Sequence, residues 1–429
     1  MKISIPYGKG QVSADIPSEN LMMIARAAEK IEALPDEEEA LHRAFSNPVG
    51  TPSLEELAAK LKPDEEVVIL TSDYTRPTPT EKLTRIALEH LAKGGVTPDR
   101  VTVLFCSGLH RPMTREEMEA LLGEQAQKVR YHSHDAYHDP CVKLGVSKNG
   151  TPIEINEIAA RAKLKISFST VEPHHAAGWS GGGKNVIPGI SSKDSVFVHH
   201  SQMLDHRTRI GVLDGNPFRE DIDEIAQRAG VNFICNVALT DDKKIAIAVC
   251  GDVVKAHRAV AAQSEKDMAV TVSRLPDIVI AGPGGAPRDN NFWQTEGKAI
   301  TRVGKAARPG GIVIIAAECA EGVGQKQFEE FINENMTAGA DLNEVLEDVR
   351  RKTFTVQRNK IGRICQAVLR NQLFIVCSKT LQSVFPNPPF RFFDTLQEAV
   401  DEALLQLGED ARILVVPETT RVLLKLPES

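Results

Sequence analysis

Short blocks of apolar residues recur along this chain, separated by stretches with helical spacing. In the first half, Glu66-Val-Val-Ile-Leu70, Val101-Thr-Val-Leu-Phe-Cys106, Val129-Arg-Tyr-His132 and Lys165-Ile-Ser-Phe-Ser-Thr170 read as strands. Helices are predicted from about Thr80 to Lys93 and from about Thr114 to Leu122. Strands alternating with helices are the βαβ pattern of a parallel sheet. The second half repeats this architecture without repeating the sequence. Its predicted strands are Asp277-Ile-Val-Ile-Ala281, Gly311-Ile-Val-Ile-Ile315, Leu373-Phe-Ile-Val-Cys377 and Arg412-Ile-Leu-Val-Val416, with a helix from about Thr395 to Leu407. The opening, Lys2-Ile-Ser-Ile followed by Gly8-Lys-Gly10 and Gln11-Val-Ser-Ala, reads as a hairpin, and residues 20–60 read as helical with an acidic, solvated face.

At 429 residues the chain exceeds one ordinary core, so two domains are expected. A composition shift at Ser273-Arg-Leu-Pro276 sets the predicted boundary. The reading is an α/β fold with an N-terminal domain over 1–275 and a C-terminal domain over 276–417, each a mainly parallel sheet flanked by helices. The active site is expected in the cleft between them. The tail 418–429, through Thr420-Arg-Val-Leu-Leu-Lys425, is expected to pair back onto the first domain.

Composition narrows the class. Hydrophobic residues at 42% and charged residues at 25% are ordinary for a soluble globular protein. A net charge of −7 argues against a nucleic-acid partner held by phosphate neutralisation. The first residues lack the apolar stretch of a signal peptide, and no apolar run is long enough to span a membrane, so a cytoplasmic protein is expected. The seven cysteines are scattered and form no C-x-x-C, which reads as reduced, mostly buried thiols.

The chemistry-bearing residues lie just past predicted strand ends: Asp73 and Arg76, His110 and Arg111, His174, and Gly282–Gly285. Open α/β sheets bind ligands outside the carboxyl ends of their strands, so these positions are expected to converge. Asp73-Tyr-Thr-Arg76-Pro77 suits either an Asp-led helix entry or an Arg fork onto a carboxylate or phosphate. His110 suits general acid/base work near neutral pH. Glu172-Pro-His174-His175 leads into Gly178-Trp-Ser-Gly-Gly-Gly183-Lys184, and His199-His200 follow. Part of this segment matches a phosphate-binding loop, but Asn185 stands where a Mg²⁺-binding hydroxyl is required, and Pro188-Gly189 interrupts the helix such a loop must open. The glycines instead suggest close backbone approach to a bound group, with Lys184 as the reactive residue. Four histidines around one lysine suggest a metal such as nickel, zinc or copper, held by one histidine plus ligands from a cofactor rather than by a protein-only cage. A second cluster, His132, His134 and His138, reads as solvated or structural. Trp293, Gln294 and Lys298, with Arg288, suit either an amphipathic helix or a cation offered to a bound carboxylate.

Together these motifs resemble the nickel-dependent lactate racemase family. The fragments run in order through nearly the whole chain: Ser-Asp73-x-Thr-Arg76-Pro-Thr-Pro79, Gly-x-His110-Arg111, Glu-Pro-His174, Gly-x-Ser-Gly-Gly-x-Lys184 followed by Pro-Gly189, His200, then Gln294 with Lys298. The resemblance implies a racemase or epimerase that inverts C2 of a 2-hydroxy carboxylate by reversible hydride transfer through a 2-keto acid. It implies nickel held in a pyridinium-3,5-bisthiocarboxylic acid mononucleotide (the nickel-pincer nucleotide) that is tethered to Lys184 and made by separate maturation enzymes. On the same grounds His200 is the protein's nickel ligand, and His110 and His174 are the acid/base pair. Asp73, Thr75, Gly182 and Gly183 help hold the cofactor, while Arg76, Trp293, Gln294 and Lys298 orient the substrate.

The sequence departs from the family pattern where substrate shape is read. Trp293 replaces a tyrosine, the spacing from Gln294 to Lys298 is one residue longer, Val356-Gln357 replaces a Trp-Gln pair, and His175 replaces an aromatic residue. The substrate class therefore extends from lactate through other short 2-hydroxy acids to sugar acids. The alternatives are a cofactor-free carboxylate- or nucleotide-binding protein that keeps the fold, and a P-loop-type NTPase.

Overall fold

The computed structural model describes residues 1–27, 31–240, 242–351 and 356–427, with side chains in the last stretch from 358 onward. The side chains of Val356 and Gln357 thus lie outside the described residues. The chain forms two compact units, Lys30–Asp267 and a second built from Met1–Glu29 with Met268–Ser429.

The Lys30–Asp267 unit holds a six-stranded sheet in the order Ile245–Gly251, Phe233–Leu239, Leu164–Thr170, Val67–Ser72, Val101–Cys106, Arg130–Ser133. All neighbours are parallel except the first pair, which is an antiparallel hairpin. Successive residues of Val67–Ser72 serve opposite cores, as the period-2 pleat requires. Val67 and Ile69 pack with Phe45, Leu83 and Phe168, while Val68 and Leu70 pack with Ile153, Phe218 and Ile222. All four of these strand side chains are buried, and each contributes roughly 1.5–3 kcal/mol by leaving water. The predicted helices appear as Thr80–Lys93 and Arg115–Leu122, the latter opened by a Thr114–Glu117 capping box.

Strand order fixes where a ligand belongs. From Val67–Ser72 the chain builds outward through Val101–Cys106 to Arg130–Ser133, then returns to place Leu164–Thr170 on the other side of Val67–Ser72. The gap between those two strands is the topological switch point, and their carboxyl ends deliver Asp73 and Glu172-Pro173-His174.

The second unit holds a wholly parallel sheet in the order Arg391–Phe393, Gln372–Val376, Ile312–Ala316, Ile278–Ala281, Ile413–Val416, Leu21–Ile24. The expected hairpin is present as Lys2–Tyr7 against Gly10–Asp15, and the expected late helix as Leu396–Leu407 behind a Thr395 capping box.

Three details differ from the sequence reading. Residues 20–60 are not continuously helical: Leu21–Ile24 is an edge strand on Ile413–Val416, and helix is confined to Glu37–Ser46 and Leu54–Ala58. A four-residue apolar run carries no period of its own, so its pairing decides its state. The first residues accordingly belong to the unit of the C-terminal half, not to one domain over 1–275, and that unit resumes at Met268 rather than at 276. The tail strand Leu423–Lys425 pairs in parallel with Ala269–Thr271, also within that unit. Among the described residues no helix is long and apolar enough to cross a membrane.

Candidate active site at the switch point of the first sheet

Asp73 and His110 form a dyad. Asp73 leaves Val67–Ser72 with only 3% of its surface exposed, and its carboxylate lies 2.7 Å from Nδ1 of His110, whose side chain is 54% exposed. The other carboxylate oxygen accepts from the Thr75 hydroxyl at 2.6 Å and the Thr75 amide at 3.2 Å. Burial pushes the Asp73 carboxyl up, but the bonds from His110 and Thr75 outweigh it and leave Asp73 below the ordinary range. A carboxylate only accepts, so the His110 proton sits on Nδ1 and neutral His110 presents an Nε2 lone pair outward. The His110 loop is seated by a bond from the Gly108 amide to the Gly189 carbonyl at 2.9 Å. Arg111 points elsewhere, forked onto Glu117 and lying 4.7 Å over the Tyr74 ring.

His174 has the opposite arrangement. It sits in a two-residue ladder, Pro173–His174 against Gly178–Trp179. Its Nδ1 accepts from the amides of Ala176 at 3.2 Å and Ala177 at 3.0 Å, so the ring proton of neutral His174 is on Nε2. That Nε2 lies 2.9 Å from Nζ of Lys184. Lys184 keeps some accessible surface, but its amine is ringed by protein. Burial first, then the positive charges of Arg76 and Arg219, push its pKa far below the ordinary lysine value, against the opposing pull of Glu172. Arg76 holds Glu172 at a loose 3.4 Å, with both partners about two-fifths exposed. The ring of His175 stacks on His174 at 4.4 Å.

The glycine segment is tied to the protein on all sides. Gly182 has φ +62°, and a side chain there would strike His257; one at Gly183 would strike Ala226 and the Ile222 carbonyl. The absent side chains are thus explained by packing, and any contact of Gly182 or Gly183 with a bound group is left to their backbone. Asn185 is committed to the sheet, donating to the Leu70 and Phe168 carbonyls and the Ser167 hydroxyl, and Gly182–Asn185 is a single 3₁₀ turn rather than the start of a long helix. Both findings oppose a nucleotide-triphosphate loop. Arg219, fully buried on Pro217–Arg228, donates to the carbonyls of Ala177, Trp179 and Gly181 and pairs with Asp223 at 3.3 Å. His257 Nε2 is 2.8 Å from the Ser180 carbonyl. Sequence reading missed Arg219 and His257, because neither lies near the motif and only the fold brings them under it.

The adjacent histidines on Lys193–Ser201 differ. His199 is wholly buried, with Nδ1 3.0 Å from Asp221, a carboxylate that also takes bonds from Thr151 and Gln202. His200 is half-buried, edge-on to Phe218 with ring centres 5.5 Å apart. Among the described residues no three His, Cys, Asp or Glu side chains stand together as a metal cage. The second histidine cluster is structural: His134 is buried between Asn156 and the Ser191 carbonyl, His132 pairs with Asp139, and exposed His138 pairs with Asp135.

In the second unit, Trp293 and Gln294 lie on Phe292–Thr295, which runs into a π-helical turn, Glu296–Ile300, that carries Lys298. A π turn is how a helix absorbs one extra residue, which matches the lengthened spacing between Gln294 and Lys298. Lys298 Nζ donates to the Gln294 side chain at 3.2 Å. Trp293 is fixed from beneath, with Lys360 Nζ 4.5 Å from its ring centre and 2.7 Å from its carbonyl. Fully buried Glu296 receives Lys360 at 2.7 Å and Arg363 at 3.0 Å, a triad brought together only by the fold. Arg288 is paired with Glu418 at 3.3 Å.

Comparison with known proteins places these features in context. Residues 7–211 match the family model described as the lactate racemase N-terminal domain, and residues 271–424 the lactate racemase C-terminal domain. The lactate racemases of Thermoanaerobacterium thermosaccharolyticum and Lactiplantibacillus plantarum are each 32% identical over 433 residues, covering 99% of this chain and 99% of each relative. The solved structure of the lactate racemase apoprotein from T. thermosaccharolyticum aligns with a TM-score of 0.90 at 30% identity, covering 99% of this chain and 100% of that one. A Thermotoga maritima protein shares the fold at a TM-score of 0.66 and 18% identity, covering 92% of this chain and 99% of its own.

Proposed function

This chain belongs to the lactate racemase family, and from that premise we propose that it inverts C2 of a 2-hydroxy carboxylate by reversible hydride transfer, using a nickel-pincer nucleotide tethered at Lys184. It is an enzyme of the racemase class. The two racemases similar to it are named for lactate, and lactate or a related 2-hydroxy acid is its proposed substrate.

The residues present fit that cofactor. A tether through a carbonyl- or thiocarbonyl-nitrogen bond needs a lysine that can be neutral, and Lys184 is buried among positive charges beside His174. With no protein cage of three ligands among the described residues, a metal here needs donors from a cofactor, to which His200 adds one imidazole. His199 is already committed to Asp221. Asp73 and Thr75 are proposed to steady the cofactor's neighbourhood from the loop they share with Arg76.

When bound, the cofactor, held through Lys184 and His200, would supply a reversible hydride acceptor. The chain's residues supply the rest. His110 Nε2 accepts the hydroxyl proton as the C–H pair departs, so a planar 2-keto acid forms with no net charge stranded on oxygen. His174 is proposed for the opposite face, so that return of hydride to that face inverts the centre. Arg76 is poised for the carboxylate because its bond to Glu172 is long and exposed and yields to a stronger anion. Gln294, Lys298 and Trp293 complete the proposed substrate-orienting set.

The observation that carries this reading is the Lys184 amine held 2.9 Å from His174. Protein purified from its native host should carry a mass adduct on Lys184 together with nickel, both lost in Lys184→Ala. An active native enzyme with an unmodified Lys184 refutes the mechanism.

A further inference from the structure

The His174–Lys184 contact has a direction. Two amide N–H groups point at Nδ1 of His174, from Ala176 and Ala177, and a protonated Nδ1 would face them proton to proton. The ring therefore donates from Nε2 toward Nζ of Lys184 at 2.9 Å. An ammonium has no lone pair to receive that donor; a neutral amine does. The surrounding charges act in the same sense. Arg76 and Arg219 face the amine and disfavour a third positive charge, Glu172 alone opposes them and is shared with Arg76, and His199 and His257 also stand within electrostatic reach. Arg219 is in turn offset by Asp223.

We propose that the apoprotein is itself the acylating partner: His174 presents Lys184 as a free-base nucleophile, and the site takes up an activated aromatic acyl or thioacyl group without a separate ligase. The proposal rests on the cofactor attachment described above and specifies how it comes about. In the step, the His174 Nε2–H···Nζ hydrogen bond breaks as the acyl group arrives, and the Nζ lone pair it had occupied forms a C–N bond to the acyl carbon. The bond from that carbon to its leaving group breaks with both electrons going to the leaving group, and one Nζ proton departs to it through solvent. No oxidant or reductant is needed, and the acyl donor brings its own activation as a thioester or anhydride. His174 is here a positioning residue, since it favours the neutral amine before attack, releases the lone pair to the acyl carbon and takes no proton.

The test uses the full-length apoprotein, made in a host lacking the cofactor genes. Trace acetic anhydride is applied across a pH series, and acetylation at each lysine is read by peptide mass spectrometry. Each site is normalised to its own plateau, so access cancels and only the midpoint remains. Lys326 and Lys143, with side chains 86% and 82% exposed, serve as references. Lys184 is expected to reach half-plateau at least about one pH unit below them, so that at pH 7 its normalised reactivity is about tenfold higher or more. His174→Ala removes the donor to the neutral amine and should lower that reactivity about fivefold, the worth of one net hydrogen bond. His174→Gln, which restores an N–H near the Nε2 position, should recover most of it. Titration of Lys184 together with the exposed lysines, or a midpoint indifferent to His174→Ala, overturns the proposal. An ordinary midpoint in a chain that nonetheless carries the adduct in its native host refutes only this proposal. A low midpoint in a chain that never acquires the adduct refutes the cofactor reading instead.

Discussion

Asp73→Asn tests whether His110 is a base by design of its neighbour. The substitution keeps the oxygen that accepts from Thr75, so the turn after Val67–Ser72 survives. It replaces the oxygen facing His110 Nδ1 at 2.7 Å with an NH₂ group. Two donors cannot share that contact, so the His110 proton moves to Nε2, the face proposed to receive the substrate proton. A hydrogen bond to a charged group is worth about 1.5–3 kcal/mol, and losing it disfavours the working tautomer by about 10- to 150-fold. kcat should fall by about that factor, at or below the bottom of the roughly 10²–10⁴ range for removing a positioned acid or base outright, with KM little changed. The assay follows initial rates from each pure enantiomer, on protein matched for nickel and for the Lys184 adduct, with thermal melting as the control for fold. Wild-type kcat in Asp73→Asn from both enantiomers would show that the dyad does not set the tautomer that matters.

Four further outcomes are expected. His200→Ala should abolish tight nickel binding with the melting temperature intact. His199→Ala should keep nickel but lose about 1.5–3 kcal/mol of stability, because it strips one hydrogen bond from the buried Asp221 carboxylate, which keeps those from Thr151 and Gln202; the reverse pattern moves the ligand by one residue. The Arg111 hydrogen bonds pull Glu117 from its ordinary 4.5 down to about 2, so its contribution is fully present above about pH 4.5 and lost as pH falls through about 2. The melting-temperature gap between wild type and Glu117→Gln should therefore close over that window, and a gap that widens toward acid refutes the assignment. In a series from lactate to six-carbon sugar acids, followed by inversion at C2, a larger or more polar acid should exceed lactate in kcat/KM, and neutral 2-hydroxy amides should fail; lactate leading the series would make the changes at His175 and Trp293 silent.

The parallel strands were legible because each is a short, unbroken apolar run followed by polar residues, and the structure places Val67–Ser72, Val101–Cys106, Leu164–Thr170 and Ile278–Ala281 where those runs stand. Leu21–Ile24 was not, since its strand state comes from a partner nearly 400 residues away at Ile413–Val416. The same limit hid the assignment of the first residues to the second unit. In the site, residues just past strand ends could be found because the fold class itself directs ligands there. Arg219, His257 and Glu296 could not. Each is a buried polar group whose purpose is visible only in what it touches: three loop carbonyls, the Ser180 carbonyl, and the Lys360–Arg363 pair. The glycines were found, but their packing role was not legible. They let the loop press onto Pro217–Arg228 and His257, an approach to protein that appears only in the folded chain.

The two histidines proposed as an acid/base pair are not equivalent in this structure. His110 offers a lone pair at Nε2 because Asp73 holds its proton on Nδ1, whereas His174 offers a proton at Nε2 because the Ala176 and Ala177 amides hold its Nδ1 bare. A symmetrical racemase needs each ring to serve as base for one enantiomer, and His174 cannot do so while Nε2 is protonated and pointed at Lys184. Acylation of Lys184 removes that obstacle, because an amide or thioamide nitrogen has no basic lone pair and ceases to attract the His174 donor. In the proposed mechanism attachment therefore precedes catalysis, with His174 serving the lysine before the tether forms and the substrate afterwards. His110, fixed by a buried carboxylate, keeps the same proposed role throughout.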